Sequence, residues 1–135
     1  MIKTIEGYLK SKSWEFESNG KDIATAFTTD VKNGKEQSFP LYFMPVEDVY
    51  GISYLRLVIV PFVEQPESDF PEIFWKNILL INHDLNQMKF SIDSDGDLEL
   101  VLDIPISMVD SSTLDKALSD LADTAGTYIE EINNL

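Results

Sequence analysis

Residues 90–104 read FSIDSDGDLELVLDI. Its centre, DSDGD at residues 93–97, resembles the start of a calcium-binding loop. The same residue types also build tight turns between strands, because Asp, Ser and Gly tolerate turn backbones. An EF-hand loop needs oxygen ligands at its first, third and fifth positions, glycine at the sixth and a bidentate glutamate at the twelfth. With Gly96 at the sixth position, Ser91 is first and Leu102 is twelfth, and leucine cannot coordinate calcium. The flanks point the same way. Phe90 and Ile92 alternate with Lys89, Ser91 and Asp93, while Leu98, Leu100, Leu102 and Ile104 alternate with Glu99, Val101 and Asp103. That is the periodicity of strands, and no exiting helix follows. The stretch predicts a β-hairpin with an acidic turn. No metal and no cofactor is assigned, and cation binding by Asp93, Asp95 and Asp97 would be weak and adventitious.

Upstream, the chain continues to read as antiparallel β-structure framed by helices. Ile2, Ile5 and Leu9 recur at helical spacing and predict a short amphipathic first helix. Trp14 and Phe16 then alternate with Glu15 and Glu17. Asn-Gly pairs at 19–20 and 33–34 predict hairpin turns, since both residues accept positive φ. They join strands near DIATAFTTDV, KEQSFPLYFMP and ISYLRLVIVPF into a meander of three or four strands. Pro71 suits the first turn of a second helix, capped by Ser68 or Asp69 and ending near Asn86 or Gln87. Its apolar positions, Phe70, Ile73, Phe74, Ile78, Ile81 and Leu85, are broadened by Trp75 and Leu79, which predicts deep burial. A last helix carries Leu114, Leu118, Leu121, Ala125, Tyr128 and Ile132 on one stripe, with Ser111 or Ser112 as its cap and Ser112–Asp115 as a capping box. Strands in antiparallel runs, rather than strictly alternating with helices, give an α+β class in the order α-β(3-4)-α-β-β-α.

The third and fourth strands are apolar on both faces. Phe39, Leu41 and Phe43 point one way, Tyr42 and Met44 the other; Leu55, Leu57 and Ile59 oppose Tyr54, Arg56, Val58 and Val60. A half-solvated strand would alternate more cleanly, so the second face is expected to be covered by a helix, another subunit or a ligand.

The chain has 135 residues, 44% hydrophobic, with no cysteine, which fits one domain over residues 1–135 and excludes disulfides and thiolate chemistry. No signal-peptide core is visible at the start. The apolar run LVIVPFV falls far short of the roughly 18 residues that span a membrane, so a cytoplasmic location is expected. The net charge is −14 and uneven: residues 1–63 hold 8 acidic and 7 basic side chains, residues 64–135 hold 16 and 3. Nucleic acid and anionic membranes are disfavoured as partners. The charge confers solubility first, and it would also attract a basic partner.

Chemistry finds little footing. His83 is the single histidine, and the adjacent Asp84 cannot orient it because neighbouring helical residues do not face each other. It reads as a surface or helix-end residue. Nucleophile-elbow and phosphate-loop motifs are missing. Glu15 and Glu17 share a strand face as exposed alternating residues rather than as an acid–base pair. Arg56, the only arginine, is open to an internal ion pair or a solvated position, or to a carboxylate on a partner. No catalytic residue is assigned, and the chain is not expected to be an enzyme.

The run FWKNILLINHDLNQMKFSIDSDGDLELVLDIPIS, residues 74–107, followed by an acidic amphipathic helix, resembles the YbjN-like family. The matching features are Leu85 and Asn86 near a helix end, Phe90 and Ile92 in a short strand, the Asp95-Gly96-Asp97 turn, and Leu98, Leu100 and Leu102 in an alternating strand. That family is described as bacterial sensory transduction regulators with the fold of type III secretion chaperones. The resemblance implies helices packed on a curved antiparallel sheet, a homodimer and no catalytic residues. It points to a non-catalytic protein-binding module, chaperone-like or regulatory. The expected partner surface is Tyr42, Met44, Tyr54, Arg56, Val58 and Val60, engaged across the sheet face or by strand addition. The alternative is a small-molecule or ion sensor with a pocket between sheet and helices.

Overall fold

The computed structural model describes all 135 residues. In chain order the elements are α1 (Ile2–Ser11), β1 (Glu17–Ser18), β2 (Ile23–Asp30), β3 (Glu36–Glu47), β4 (Ser53–Val63), α2 (Glu72–Asp84), β5 (Met88–Ile92), β6 (Leu98–Pro105) and α3 (Ser111–Asn133). A single 3₁₀ turn, Ile106–Met108, leads into α3. The strands form one antiparallel sheet in the order β1-β2-β3-β4-β6-β5. The meander runs from β1 to β4. The chain then passes through α2 to the far edge and returns, so β6 pairs with β4 and β5 is left outermost.

The acidic stretch is the hairpin turn expected. Gly96 has φ +88°, and the Asp93 carboxylate accepts from the N–H groups of Asp95 and Asp97, each at 2.9 Å. Asp97 accepts from the Gln65 N–H at 2.8 Å, which ties the turn to the chain leaving β4. Both Asn-Gly turns also form, with Gly20 at φ +84° and Gly34 at +83°.

One face of the sheet makes the core. Ile23, Phe39, Leu41, Phe43, Leu55, Leu57, Ile59, Leu98, Leu100 and Leu102 share it and are buried. All three helices contribute to the same continuous cluster: Ile5 and Leu9 from α1, Phe74 and Ile78 from α2, and Leu114, Leu121 and Ile129 from α3. α1 and α3 are also joined by a hydrogen bond from the Tyr8 hydroxyl to Asp115. Burial first, and then that bond, push the Tyr8 phenol pKa above its ordinary value. Hydrogen bonds from Tyr8 and Lys12 in turn hold the Asp115 carboxyl below its own.

Several local expectations are corrected. α2 is not deeply buried. Phe74, Ile78 and Ile81 face the core, but Ile73 and Leu79 are 59% and 69% exposed and Trp75 is half-buried. Its stripe is wider than its contact. The helix starts after Pro71 without a side-chain cap, Asp69 instead adopting φ +71°, and it ends at Asp84 rather than near Asn86 or Gln87. The α3 cap is Asp110, not Ser111 or Ser112. Its carboxylate accepts from the Thr113 N–H at 2.8 Å, and the Thr113 hydroxyl accepts from the Asp110 N–H at 2.9 Å. β1 is only two residues long: Ser13 (φ +58°) belongs to the turn that leaves α1, and Trp14 and Phe16 before the strand pack against the core cluster.

Candidate functional site

The opposite face of the sheet carries every residue assigned to the partner surface. Tyr42 lies across from Val58, Met44 from Arg56 and Val46 from Tyr54, so β3 and β4 place them side by side. Val60 continues the row along β4. No helix residue joins them in a buried cluster: the continuous core belongs to the other face. The covering helix that the two-sided pattern allowed is therefore on the other side.

The face is not uniformly open. Tyr42, Met44, Val46, Tyr54, Arg56 and Val60 are half-buried, but Val58 is only 2% exposed. Its neighbour across the β4–β6 pairing is Val101, also 2% exposed, and neither belongs to the main core. Tyr42 pairs with Val58 on one side and Lys89 with Val101 on the other, and the Arg56–Asp103 pair is two residues along the same two strands. Val58 therefore supports the surface from beneath rather than presenting itself to a partner. Sequence pattern could not show this, because Val101, its partner in the pair, comes from a strand more than forty residues away in the chain.

Arg56 is engaged internally. Its Nε donates to one Asp103 carboxylate oxygen at 2.8 Å and its Nη2 to the other at 2.9 Å, across the β4–β6 pair. The Asp103 bonds raise the guanidinium pKa against the opposing effect of burial, with Glu99 adding a smaller pull. A bidentate pair of this kind fixes side-chain direction as well as charge. Of the alternatives open for Arg56, the internal pair is the one formed.

The two sheet edges differ. At β5 the side-chain amide of Asn82, from α2, accepts from the Phe90 N–H at 2.8 Å and donates to the Phe90 carbonyl at 2.9 Å. This amide occupies the outward backbone groups of Phe90 at the middle of the edge, which hinders an added strand there. Asn82→Ala is expected to lower stability by about 1 kcal/mol, because two modest hydrogen bonds are exchanged for water at an edge. Urea denaturation reads that shift, and an unchanged midpoint would mean the amide is incidental.

At β2 the edge is open. Val31 N–H donates to the Lys35 carbonyl at 2.7 Å across the β2–β3 turn, so Asp30 and Glu36 form a pair whose own backbone groups point outward. Counting back in twos, Thr28, Ala26 and Ala24 also point their N–H and C=O groups away from β3. Ala24 is paired with Glu17 of β1, whereas Ala26 and Thr28 have no hydrogen-bond partner. Beside them lies a surface depression of about 810 Å³ lined by Trp14, Glu15, Phe16, Glu17, Ala24, Ala26, Phe27, Thr28 and Ser38. A smaller depression of about 360 Å³ lies between sheet and helix, where Leu102, Ile104 and Pro105 of β6 meet Thr113 and Ala117 of α3.

The remaining singled-out residues stay apart from this face. His83 is exposed in the last turn of α2. The carboxylates of Asp93, Asp95 and Asp97 lie within 4.8 Å of one another, but Asp93 and Asp97 are used by the turn itself. No helix is long and apolar enough to cross a membrane.

No family model matches the sequence, and no curated protein matches it. Among solved structures, a chain from "Structure of the HopA1-SchA Chaperone-Effector Complex" superposes with a TM-score of 0.53 at 15% identity, over 92% of this chain and 88% of that one. The fold is chaperone-like. At that identity the likeness concerns architecture: the chaperone-like fold expected from the sequence is present, while the residues on its surface are this chain's own.

Proposed function

We propose that this chain is a non-catalytic protein-binding module, chaperone-like in action, that holds an extended segment of a partner protein on the helix-free face of its sheet. One observation carries the reading. All three helices pack on one face, and the other presents half-buried Tyr42, Met44, Tyr54 and Val60 on neighbouring strands with no element of the chain over them. The open edge at Ala26 and Thr28 would supply backbone pairing, and the face would supply side-chain contacts. A fold likeness to a chain from a chaperone–effector complex supports this reading. The regulator role implied by the YbjN-like resemblance would use the same surface, a bound segment being its signal.

The homodimer implied by that resemblance would use a different surface, the exposed side of α2. α2 exposes Ile73, Leu79 and Leu80 at 59%, 69% and 59%. Sedimentation at micromolar concentration should give twice the chain's mass, and Leu79→Glu should return the monomer.

The partner surface is tested by affinity capture with native protein and a Tyr54→Glu/Val60→Glu variant, which spares the buried Val58. Proteins held by the native face should drop about tenfold or more with the variant, since each buried charge would lack a partner. Undiminished capture would place the site elsewhere.

A further inference from the structure

The groove at the open β2 edge has a charge as well as a shape. Glu15 and Glu17 both line it, both are exposed, and neither has an ion-pair partner: the chain's ion pairs are Lys12–Asp115, Arg56–Asp103 and Lys116–Asp120. Small side chains, Ala24, Ala26, Thr28 and Ser38, line the same depression and leave it open on the face shared with Tyr42 and Val58. Around the strand edge, Phe27, Phe16 and Trp14 add aromatic surface. The window is short. At its far end α3 closes over β2, where Lys32 N–H donates to the Gly126 carbonyl at 3.1 Å.

We infer that this groove selects an extended partner segment that alternates basic with apolar residues. The inference rests on the protein-binding reading above and adds the chemistry of the partner. The backbone of the segment pairs with Ala26 and Thr28, continuing the line of β1 past Glu17, its last residue paired with β2. Strand alternation then divides its side chains. Lysine or arginine on one side lies near Glu15 and Glu17, and the apolar side chains between them lie over Phe27, Phe16 and Trp14. An acidic segment would bring like charges together beside two unpaired carboxylates, which gives rejection as well as attraction.

The test uses two short synthetic peptides, one alternating valine with lysine and one with glutamine in place of lysine, titrated by fluorescence anisotropy. Native protein should bind the lysine peptide about three- to tenfold more tightly, the size expected of two exposed ion pairs. The preference should vanish in E15Q/E17Q and persist in D123N/E131Q, which removes the same charge from α3. If the preference survives E15Q/E17Q, the net charge of the chain is responsible and the inference fails. Equal binding of both peptides by native protein also sinks it, while leaving the protein-binding reading intact. Binding of neither peptide removes both the inference and strand addition at β2.

Discussion

Gly126→Ala is expected to destabilise the protein by about 2 kcal/mol, whereas Gly7→Ala should stabilise it by about 0.5–1 kcal/mol. Both glycines sit inside helices, where alanine is intrinsically preferred because glycine loses more backbone freedom on folding. Their surroundings differ. A Cβ on Gly7 would meet nothing within 4 Å. A Cβ on Gly126 would collide with the backbone carbonyl oxygen of Asp30, and a backbone oxygen cannot rotate aside as a side chain can. Relief requires α3 to lift from the end of β2, which weakens the bond from Lys32 N–H to the Gly126 carbonyl. Packing strain of roughly 1–3 kcal/mol, or more where backbone is struck, then outweighs the helical gain of about 1 kcal/mol. Urea midpoints of the two variants should move in opposite directions. If both rise, α3 does not approach β2 this closely.

That close approach illustrates what could be read from the sequence and what could not. Local signals carried the element order. Leu102 at the twelfth position excludes the calcium loop, the Asn-Gly pairs mark two turns, and alternation in β3 and β4 assigns side chains to the faces that strand pairing gives them. Failures arose where the answer lies in a distant part of the chain. Leu79 looks like core because it adjoins a helical stripe, yet burial depends on how much of α2 the sheet meets. Val58 looks available because its strand alternates, yet Val101, more than forty residues away, lies directly beside it, and Asp103 draws Arg56 across the same strand pair. The edge function of Asn82 is likewise invisible without Phe90 beside it. The α3 cap is ambiguous in sequence for a local reason. Four consecutive residues, Asp110 to Thr113, can all cap a helix, and reciprocal Asp110–Thr113 bonding decides among them only once the backbone is placed.

The sharpest consequence of a one-sided core concerns two adjacent residues. Phe43→Ala is expected to cost about 3–5 kcal/mol, while Tyr42→Ala should cost about 1 kcal/mol or less. Phe43 is fully buried and lies between Ile23 and Leu57, themselves without exposed surface. Removing its ring leaves a void that strands on both sides prevent from closing, so lost transfer energy and cavity terms add. A domain of this length is commonly stable by only about 7–15 kcal/mol, so the variant should forfeit a large fraction of its margin. Tyr42 stands on the opposite face, half-buried between Ala24 and Val58, where water can fill the space the ring vacates. Its loss should instead appear as weakened capture of the partner. Thermal or urea unfolding of both variants, with partner binding measured at a temperature where both remain folded, separates the roles. Comparable destabilisation by the two substitutions would mean that both faces of the sheet are structural core. In that case no free face would remain for another polypeptide, and the binding function proposed for it would have no site.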